Sequence, residues 1–550
     1  MGQNLESLKL KGRATSIVEH PQYKWFVTAS LMTGTVAFAI AQTSINLALP
    51  KMMTDLRADI DEIKWVLTGA MITSAIMTPT VGWLGNRLGN RRLYIMSILC
   101  FIIGSALSGL AWSTPSLIFF RILQSLGAGP MFPTAMTIMY STFPPKERGM
   151  ALGIFMAGWT LGPAIGPTIG GYLVEHISWR SVFYLNLPVG ILAVVLALIT
   201  LPRSDEGSKK SLDFWGFLTM ATFVVSFLIA VSQGQKEGWD SSYILTLLTL
   251  AVVFFLAFLT IELTAKEPLV ELRLFRNITF SMSSIVGSFS SVGFMGSSFI
   301  VSIFLQNMLG YTPLQAGWLL VFPAFVMGVM GIVTGRLSDL FDDRLLVIFG
   351  QLCLAMVWYR FSSLSPLEST WVVWLLLCLQ SFATSWSMSP LTNAALKALP
   401  ERDVRMGNGL SMLVRMMGGS FGIAMTGTIF TTRQLYQSVK LFRDEQLISS
   451  VSRDFIRGLQ NLFLRSGDSL DLARVRSLTV VRGRLIQEAN LAAYHDLFLM
   501  GAFLALASII PALFILQPKG AKREEKREEK KEEVVRGGPP RVAPRIPAKV

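Results

Sequence analysis

Charge is what this chain has least of. Asp, Glu, Lys and Arg together make up 15% of its 550 residues, where an ordinary soluble chain carries about 25%. Histidine and cysteine number three each. Cys100, Cys353 and Cys378 all fall inside apolar runs, which reads as buried thiols rather than a disulfide framework or a metal site. His20, His176 and His495 lie far apart with no Asp or Cys cluster in the apolar runs, so neither a metal centre nor a hydrolytic constellation is implied, and no cofactor. No GxxxxGKS/T stretch occurs, which argues against a phosphate-cradling loop and ATP-driven work.

What the chain has instead is hydrophobic length. Hydrophobic residues make up 52% and mean hydropathy is +0.51. Apolar runs of about 20 residues, the length that crosses a bilayer core, recur throughout. Lipid offers no partners to backbone polar groups, so such runs are helices. The expectation is an all-α polytopic membrane protein with fourteen spans, near 25–49, 63–84, 93–112, 117–139, 149–173, 181–201, 214–232, 243–263, 279–308, 314–335, 345–360, 370–395, 408–432 and 496–516. The first run is read as a span and not a cleaved signal, since mostly polar residues precede it and it is too long for a signal core.

Lys and Arg set the orientation. With residues 1–24 in the cytoplasm, the short inside loops hold sixteen basic residues, among them Arg87, Arg91 and Arg92, while the outside loops hold five: Lys51, Arg57, Arg180, Lys236 and Arg360. Both termini are therefore expected inside, in the cytoplasmic (inner) membrane. The formal +14 charge follows from topology and tail, not from nucleic-acid binding. In the tail, 519–550, the KREE repeat puts Glu524 and Glu528, and Lys526 and Lys530, in like-charge i,i+4 pairs. That pattern weakens a helix, and the tail is expected to be disordered. Between the last two spans, Leu441, Ile448, Val451, Phe455, Leu459 and Leu462 recur at helical intervals. Segment 433–494 is thus expected to be an amphipathic helix outside the membrane, lying on headgroups or against a partner, with the surface preferred.

The stretch GWTLGPAIGPTIGG at 158–171 is costly for a helix, at about 1 kcal/mol per glycine and about 3 per interior proline. Gly158, Gly162, Gly166 and Gly170 recur every four residues, giving one bare face on which another helix can pack closely; Gly171 follows. Pro163 and Pro167 remove two helix hydrogen bonds, which suits a bend or hinge as well as static packing.

That stretch resembles the antiporter motif of the major facilitator superfamily. GWLGNRLGNRRL (82–93) resembles its loop signature, and RILQSLGAGPMFP (121–133) its arginine motif. SINLALP (44–50), WRSVFYLNLPVG (179–190), QNMLGYTPLQAGWLLVFP (306–323) and NGLSMLVRMMGGSFGIAM (408–425) resemble its fourteen-helix drug:proton antiporter branch, the EmrB/QacA-like multidrug exporters. A degenerate second loop signature, GRLSDLFDDR, stands at 335–344.

The resemblance implies two pseudo-symmetric six-helix bundles, 25–201 and 273–518, an inserted helix pair in 202–272, and transport by rocking about a midplane site. It places the glycine face of span five against span ten, between the bundles, and makes Gly82, Asn86, Arg87, Gly89, Arg91, Arg92, Gly335 and Asp339 cytoplasmic gate residues. It makes Arg121, accompanied by Gln124, part of proton coupling; snorkelling to the outer headgroups is the other reading. Gln42 and Asn46 are at matching depth. Where the family usually has aspartate, this chain has Ala41 and Asn86, and spans one to six hold no mid-bilayer carboxylate. Ala41→Asp is expected to be tolerated, with Arg121 compensating the charge.

Phe38, Met71, Met131, Met136, Trp159, Phe294, Met295, Trp318, Phe322, Trp386 and Met388 are candidate cavity residues for a hydrophobic or amphiphilic substrate, as soft side chains repack around varied shapes. Protons and lipid are further partners the family implies and, in a double-membraned bacterium, a periplasmic adaptor protein. A facilitator or lipid-handling protein without proton coupling stays open, as more remotely does a membrane sensor or enzyme.

Overall fold

The computed structural model describes residues 22–202, 213–265, 267–311, 313–365, 368–447 and 451–516. The expected tail at 519–550 and most of the segment at 1–24 lie outside the described residues. Among those described, regular structure is helical throughout, with no strand. The amino-terminal helices are α1 (Tyr23–Leu56), α2 (Ile60–Met77), α3 (Val81–Leu88), α4 (Asn90–Gly109), α5 (Thr114–Thr142), α6 (Arg148–His176), α7 (Ser181–Tyr184) and α8 (Asn186–Thr200). Next come α9 (Phe214–Glu237) and α10 (Ser242–Thr264), then α11 (Ile278–Asn307), α12 (Pro313–Leu340), α13 (Asp343–Phe361), α14 (Thr370–Lys397), α15 (Val404–Leu447), α16 (Val451–Arg465) and α17 (Leu470–Ala512).

Local chemistry fixes many ends. The Asp59 carboxylate accepts from Glu62 N at 2.7 Å at the start of α2. Ser113 and Ser116 form a reciprocal capping box before α5, which satisfies amide groups a helix start would otherwise leave unpaired. Gly89, between α3 and α4, has φ +79°, a conformation that suits glycine. Among the described residues, eleven helices are long and apolar enough to cross a membrane, or twelve if α2 and α3, bent by 59°, count as one. α5 is not among them: glycine, proline, serine and threonine dilute it, and almost every side chain from Gly127 to Tyr140 is buried against other helices rather than offered to lipid.

Apart from α6 on α12, the most extensive helix contact of all, the contacts fall mainly within an amino-terminal group, α1–α8, and a carboxy-terminal group, α11–α17. In the amino-terminal group α1 packs on α6 and α8, and α5 on α2 and α4. In the carboxy-terminal group α11 packs on α15 and α17, and α14 on α12 and α13. α9 and α10 pack on each other, with α9 touching α2 and α15. Phe101, Phe132 and Phe155 share a core that also takes in Leu396 and Val404 of the carboxy-terminal group, while Phe304, Trp358, Phe361 and Phe498 lie in a core within that group. Lipid is as apolar as these side chains, so close van der Waals approach and polar contacts, not water exclusion, must hold the helices together.

Segment 433–494 departs from expectation. It is helical, but it is the continuation of α15, then α16, then the first half of α17, with α16 packed on α17. At 1.5 Å per residue a helix of 44 residues such as α15 is about twice as long as a bilayer core is thick. The two flanking helices thus run on past the apolar zone as a helical projection instead of releasing a single surface helix. Side chains 441–455, which include four of the expected apolar positions, lie outside the described residues.

Candidate functional site

Helix α6 presents two glycine stripes on different sides. Gly158, Gly162, Gly166 and Gly170 face α1: a Cβ on them would collide with Met32, Ala39, Thr43 and Ser44 in turn. Thr43 Oγ1 donates to the Gly162 carbonyl at 3.1 Å and Ser44 Oγ to the Gly166 carbonyl at 2.7 Å. This corrects the expectation that the stripe packs against span ten; it joins two helices of the same group. Gly171 is half-buried beside it. The helix is continuous across Pro163 and Pro167, whose side chains lie outside the described residues.

The second stripe makes the contact between groups. Gly149 meets the Gly335 backbone and Gly153 meets Gly331, so α6 and α12 cross with almost nothing between their main chains. Around this crossing the groups are bonded together. The Asp339 carboxylate accepts from Gly149 N at 2.7 Å and Met150 N at 2.9 Å, placing its charge at the positive end of α6, which is worth about 0.3–1 kcal/mol and up to about 2 where partly buried. Arg148 pairs with Glu401 at 2.7 Å; Glu401 is largely exposed, so that pair adds little. Arg405 donates to the Gly85 carbonyl at 2.8 Å. Asn408 donates to the Pro133 carbonyl at 2.9 Å and to Thr137 Oγ1 at 3.2 Å. Gly82 lies against Met406 and Gly409 against Thr78 and Pro79. Behind Asp339, Asn393 donates to Ser338 Oγ at 2.7 Å, Ser338 bonds Asp343, and Lys397 pairs with Asp343 at 3.3 Å.

Most of these side chains were not foreseen from sequence. Asn393 and Asn408, polar groups inside apolar runs, carried the usable signal. Of the expected gate residues, Gly335 and Asp339 sit in the α6–α12 crossing, and Gly82 lies against Met406 of α15. Asn86 is half-buried. Arg87 lies over the Trp83 ring, Arg91 donates to the Leu198 carbonyl at 2.6 Å, and Arg92 is exposed.

Arg121 is 3% exposed. It donates to Gln124 Oε1 at 2.7 Å, Gln42 Oε1 at 3.3 Å and the Val66 carbonyl at 3.5 Å. That is an internal constellation and not a side chain reaching for headgroups. Its partners are all neutral. Asn46 is exposed and is not among them. Ala41 is 4% exposed inside the apolar cluster of α1, α4 and α5, one residue from Gln42 and so about 100° around the helix from it.

The expected cavity residues separate as well. Met131, Met136 and Phe38 are buried core, with Phe38 against Trp159 at 5.5 Å and Trp159 against Phe132 at 4.6 Å. Met71, Met295, Trp318 and Phe322 are exposed. Trp386 packs on Phe349 at 4.7 Å, and Phe294 and Met388 are half-buried. Among the described residues, no group of three or more His, Cys, Asp or Glu could hold a metal ion.

Comparison with known proteins agrees with this architecture. A double-tryptophan XylE mutant superposes with TM-score 0.57 at 13% identity, over 91% of this chain and 97% of that one; at such identity the likeness concerns fold alone. The multidrug transporter protein MdtP of Bacillus subtilis is 33% identical over 396 residues, 72% of this chain and 73% of its own. The multidrug export protein EmrB of Escherichia coli is 27% identical over 502 residues, 90% of this chain and 96% of its own. The family model described as Major Facilitator Superfamily matches residues 31–423, and the chain belongs to that family.

Proposed function

We propose that the chain is a secondary active exporter of hydrophobic or amphiphilic drug-like compounds, working by alternating access in the cytoplasmic membrane with both termini inside. The two contact groups act as the moving six-helix bundles, α9 and α10 as an inserted pair, and fourteen crossings in all are made. One observation carries this reading. Hydrogen bonds join the two groups at the end bearing the loop signatures, around Gly149, Asp339, Asn408 and Arg405. Toward the other end, Asn46, Trp65, Met71, Met295 and Trp318 are exposed. A transporter whose cytoplasmic end is shut and whose outer end is open has this form. The export of drug-like compounds by similar proteins, MdtP and EmrB, supports the substrate class, and the exposed aromatic and methionine side chains suit it.

Arg121, with Gln42 and Gln124, is the coupling constellation in this reading. The absence of a carboxylate beside Arg121 favours a second reading, facilitated movement without protons. Uptake of a fluorescent amphiphile into inverted vesicles, with and without an imposed pH gradient, separates them. Uptake that rises with the gradient supports export by antiport. Uptake indifferent to the gradient supports the facilitator, and none above empty vesicles refutes both.

A further inference from the structure

The segment joining α10 to α11 carries two arginines that belong neither to the gate nor to the Arg121 constellation. Residues Leu272–Arg276 form a 3-10 turn, in which side chains three apart eclipse one another. Arg273 and Arg276 therefore stand side by side, and so do Leu272 and Phe275. With Leu263 of α10, these four line a hollow of about 410 Å³. Among the described residues neither arginine has an ion pair or a side-chain hydrogen bond, and Glu271, two residues before Arg273, pairs with neither. The turn itself is held in place. Glu262 Oε2 accepts from Val270 N at 3.2 Å, Asn277 Nδ2 donates to the Ala398 carbonyl at 2.8 Å, and Phe275 packs on Phe280 at 5.5 Å. The walls of the hollow are thus set before anything binds, which lowers the cost of binding.

Leu269, Val270 and Leu274 of the same segment lie in a core with Leu399 and Met406, and Met406 abuts Gly82, so the hollow is at the gate end. Among the described spans α10 is the one least covered by other helices, and Leu263, in its last turn, is 62% exposed. The hollow thus lies where the apolar flank of α10 gives way to charge, at the height of lipid headgroups. Two guanidiniums beside apolar side chains suit a phosphate with hydrocarbon attached. A soluble anion would cover none of Leu263, Leu272 and Phe275.

We propose that this hollow is a binding site for an anionic phospholipid of the leaflet at the gate end, the cytoplasmic one in the orientation proposed above. Arg273 and Arg276 hold the phosphate, and Leu263, Leu272 and Phe275 take the start of the acyl chains. The site goes beyond the exporter reading and does not depend on what is transported. Leu269 and Val270 share their core with Ile72 and Ala75 of α2 as well as with Leu410 of α15, so a bound lipid rests on the segment that touches both groups.

The test uses the full chain, purified in detergent and stripped of lipid. It is titrated with phosphatidylglycerol or with phosphatidylcholine of the same acyl chains, and bound lipids are counted by native mass spectrometry. Wild type should bind its first phosphatidylglycerol about thirtyfold more tightly than phosphatidylcholine, the scale of two arginines near an anionic headgroup. Arg273→Gln combined with Arg276→Gln should bring that ratio near one while leaving phosphatidylcholine binding unchanged, which also shows that the variant is folded. Lys146→Gln combined with Arg402→Gln, exposed residues elsewhere at the same end, removes equal charge and should keep the preference. Glycerophosphoglycerol, the headgroup without its chains, should not displace the lipid at equal concentration. Equal binding of the two lipids by wild type overturns the proposal. So does a preference that survives in the Arg273 and Arg276 variant, a variant that loses both lipids equally, or a preference that falls as far in the Lys146 and Arg402 control. Displacement by the bare headgroup would make the site one for a soluble phosphate, and overturns it too.

Discussion

Gly153 and Gly331 face each other across the α6–α12 crossing, yet adding one methyl group to each is not equivalent. A Cβ on Gly153 would press into the Gly331 carbonyl and stand 3.0 Å from Ile332 Cα, all main-chain atoms that cannot swing aside. A Cβ on Gly331 would lie 3.4 Å from the Gly153 carbonyl oxygen, ordinary contact. Gly153→Ala must therefore part the two helices to be accommodated, while Gly331→Ala fits. Forced overpacking costs about 1–3 kcal/mol. Because the strain exists only while this end is closed, it shifts the closed–open equilibrium about 5- to 150-fold toward open. Gly331→Ala should leave the equilibrium near wild type, and replacing a helical glycine should add up to about 1 kcal/mol of overall stability. Spin labels at Lys146→Cys and Arg402→Cys, both exposed and on opposite sides of the crossing, in a background free of Cys100, Cys353 and Cys378, report the gap by distance distribution. A second, longer distance should grow in Gly153→Ala and not in Gly331→Ala. If both variants, or neither, populate it, the crossing is not what holds this end shut.

Asp339→Asn removes the charge from the α6 amino terminus but keeps the shape, so the same label pair should report a more open gap, by up to about thirtyfold in population, following the value of a partly buried charge at a helix end; an unchanged distribution would assign the closure to the glycine contact alone. Arg121→Ala should cut transport strongly and Arg121→Lys rescue only part of it, because lysine cannot reach Gln42, Gln124 and the Val66 carbonyl together. Wild-type flux in both variants would deny Arg121 a part in the transport cycle.

The helical scaffold was legible because about 20 apolar residues in a row admit few other structures, and the loop signatures did mark the end where the groups meet. What packs on what was less legible. A four-residue glycine period announces a close neighbour without saying which. The interval from Gly153 to Gly158 is five, which turns the stripe about 140° around α6 and hands it from α12 to α1. Gly149 and Gly153 precede the 158–171 stretch, so its four-residue period marks only the face toward α1. The projection at 433–494 escaped for the opposite reason: where α15 leaves the apolar zone its helicity continues while its hydropathy drops, and hydropathy was the marker for a helix end. Arg273 and Arg276 counted toward orientation, but only three dimensions show that a 3-10 turn sets them side by side. Depth along a span likewise put Ala41 beside Arg121, whereas rotation about the helix axis decides which neighbour is reached.

That rotation changes what to expect of an engineered carboxylate. Matching depth suggested that Ala41→Asp would be compensated by Arg121. In the structure Ala41 is inside an apolar cluster with Phe38, Phe101 and Ala128, and the α1 side chain that touches Arg121 is Gln42, its Oε1 3.3 Å from Nη2. An aspartate at 41 would be a buried charge without a partner, a loss of about 3–5 kcal/mol if it stays ionised. It would therefore protonate or unfold its surroundings. Glutamate at 42 is nearly isosteric with the glutamine it replaces and would set a carboxylate on the existing hydrogen bond. There it would feel desolvation and the arginine charge in opposition, and the balance would change as access alternates. Gln42→Glu should steepen the dependence of flux on an imposed pH gradient, and Gln42→Glu combined with Arg121→Gln should lose the gain. Ala41→Asp should lower the thermal midpoint without steepening anything. The measurement is flux in proteoliposomes at several gradients beside a melting curve for each variant. A wild type already as steep as Gln42→Glu would mean that protons are carried elsewhere in the protein, and a stable, steeper Ala41→Asp would mean that Arg121 reaches the side of α1 where the structure does not place it.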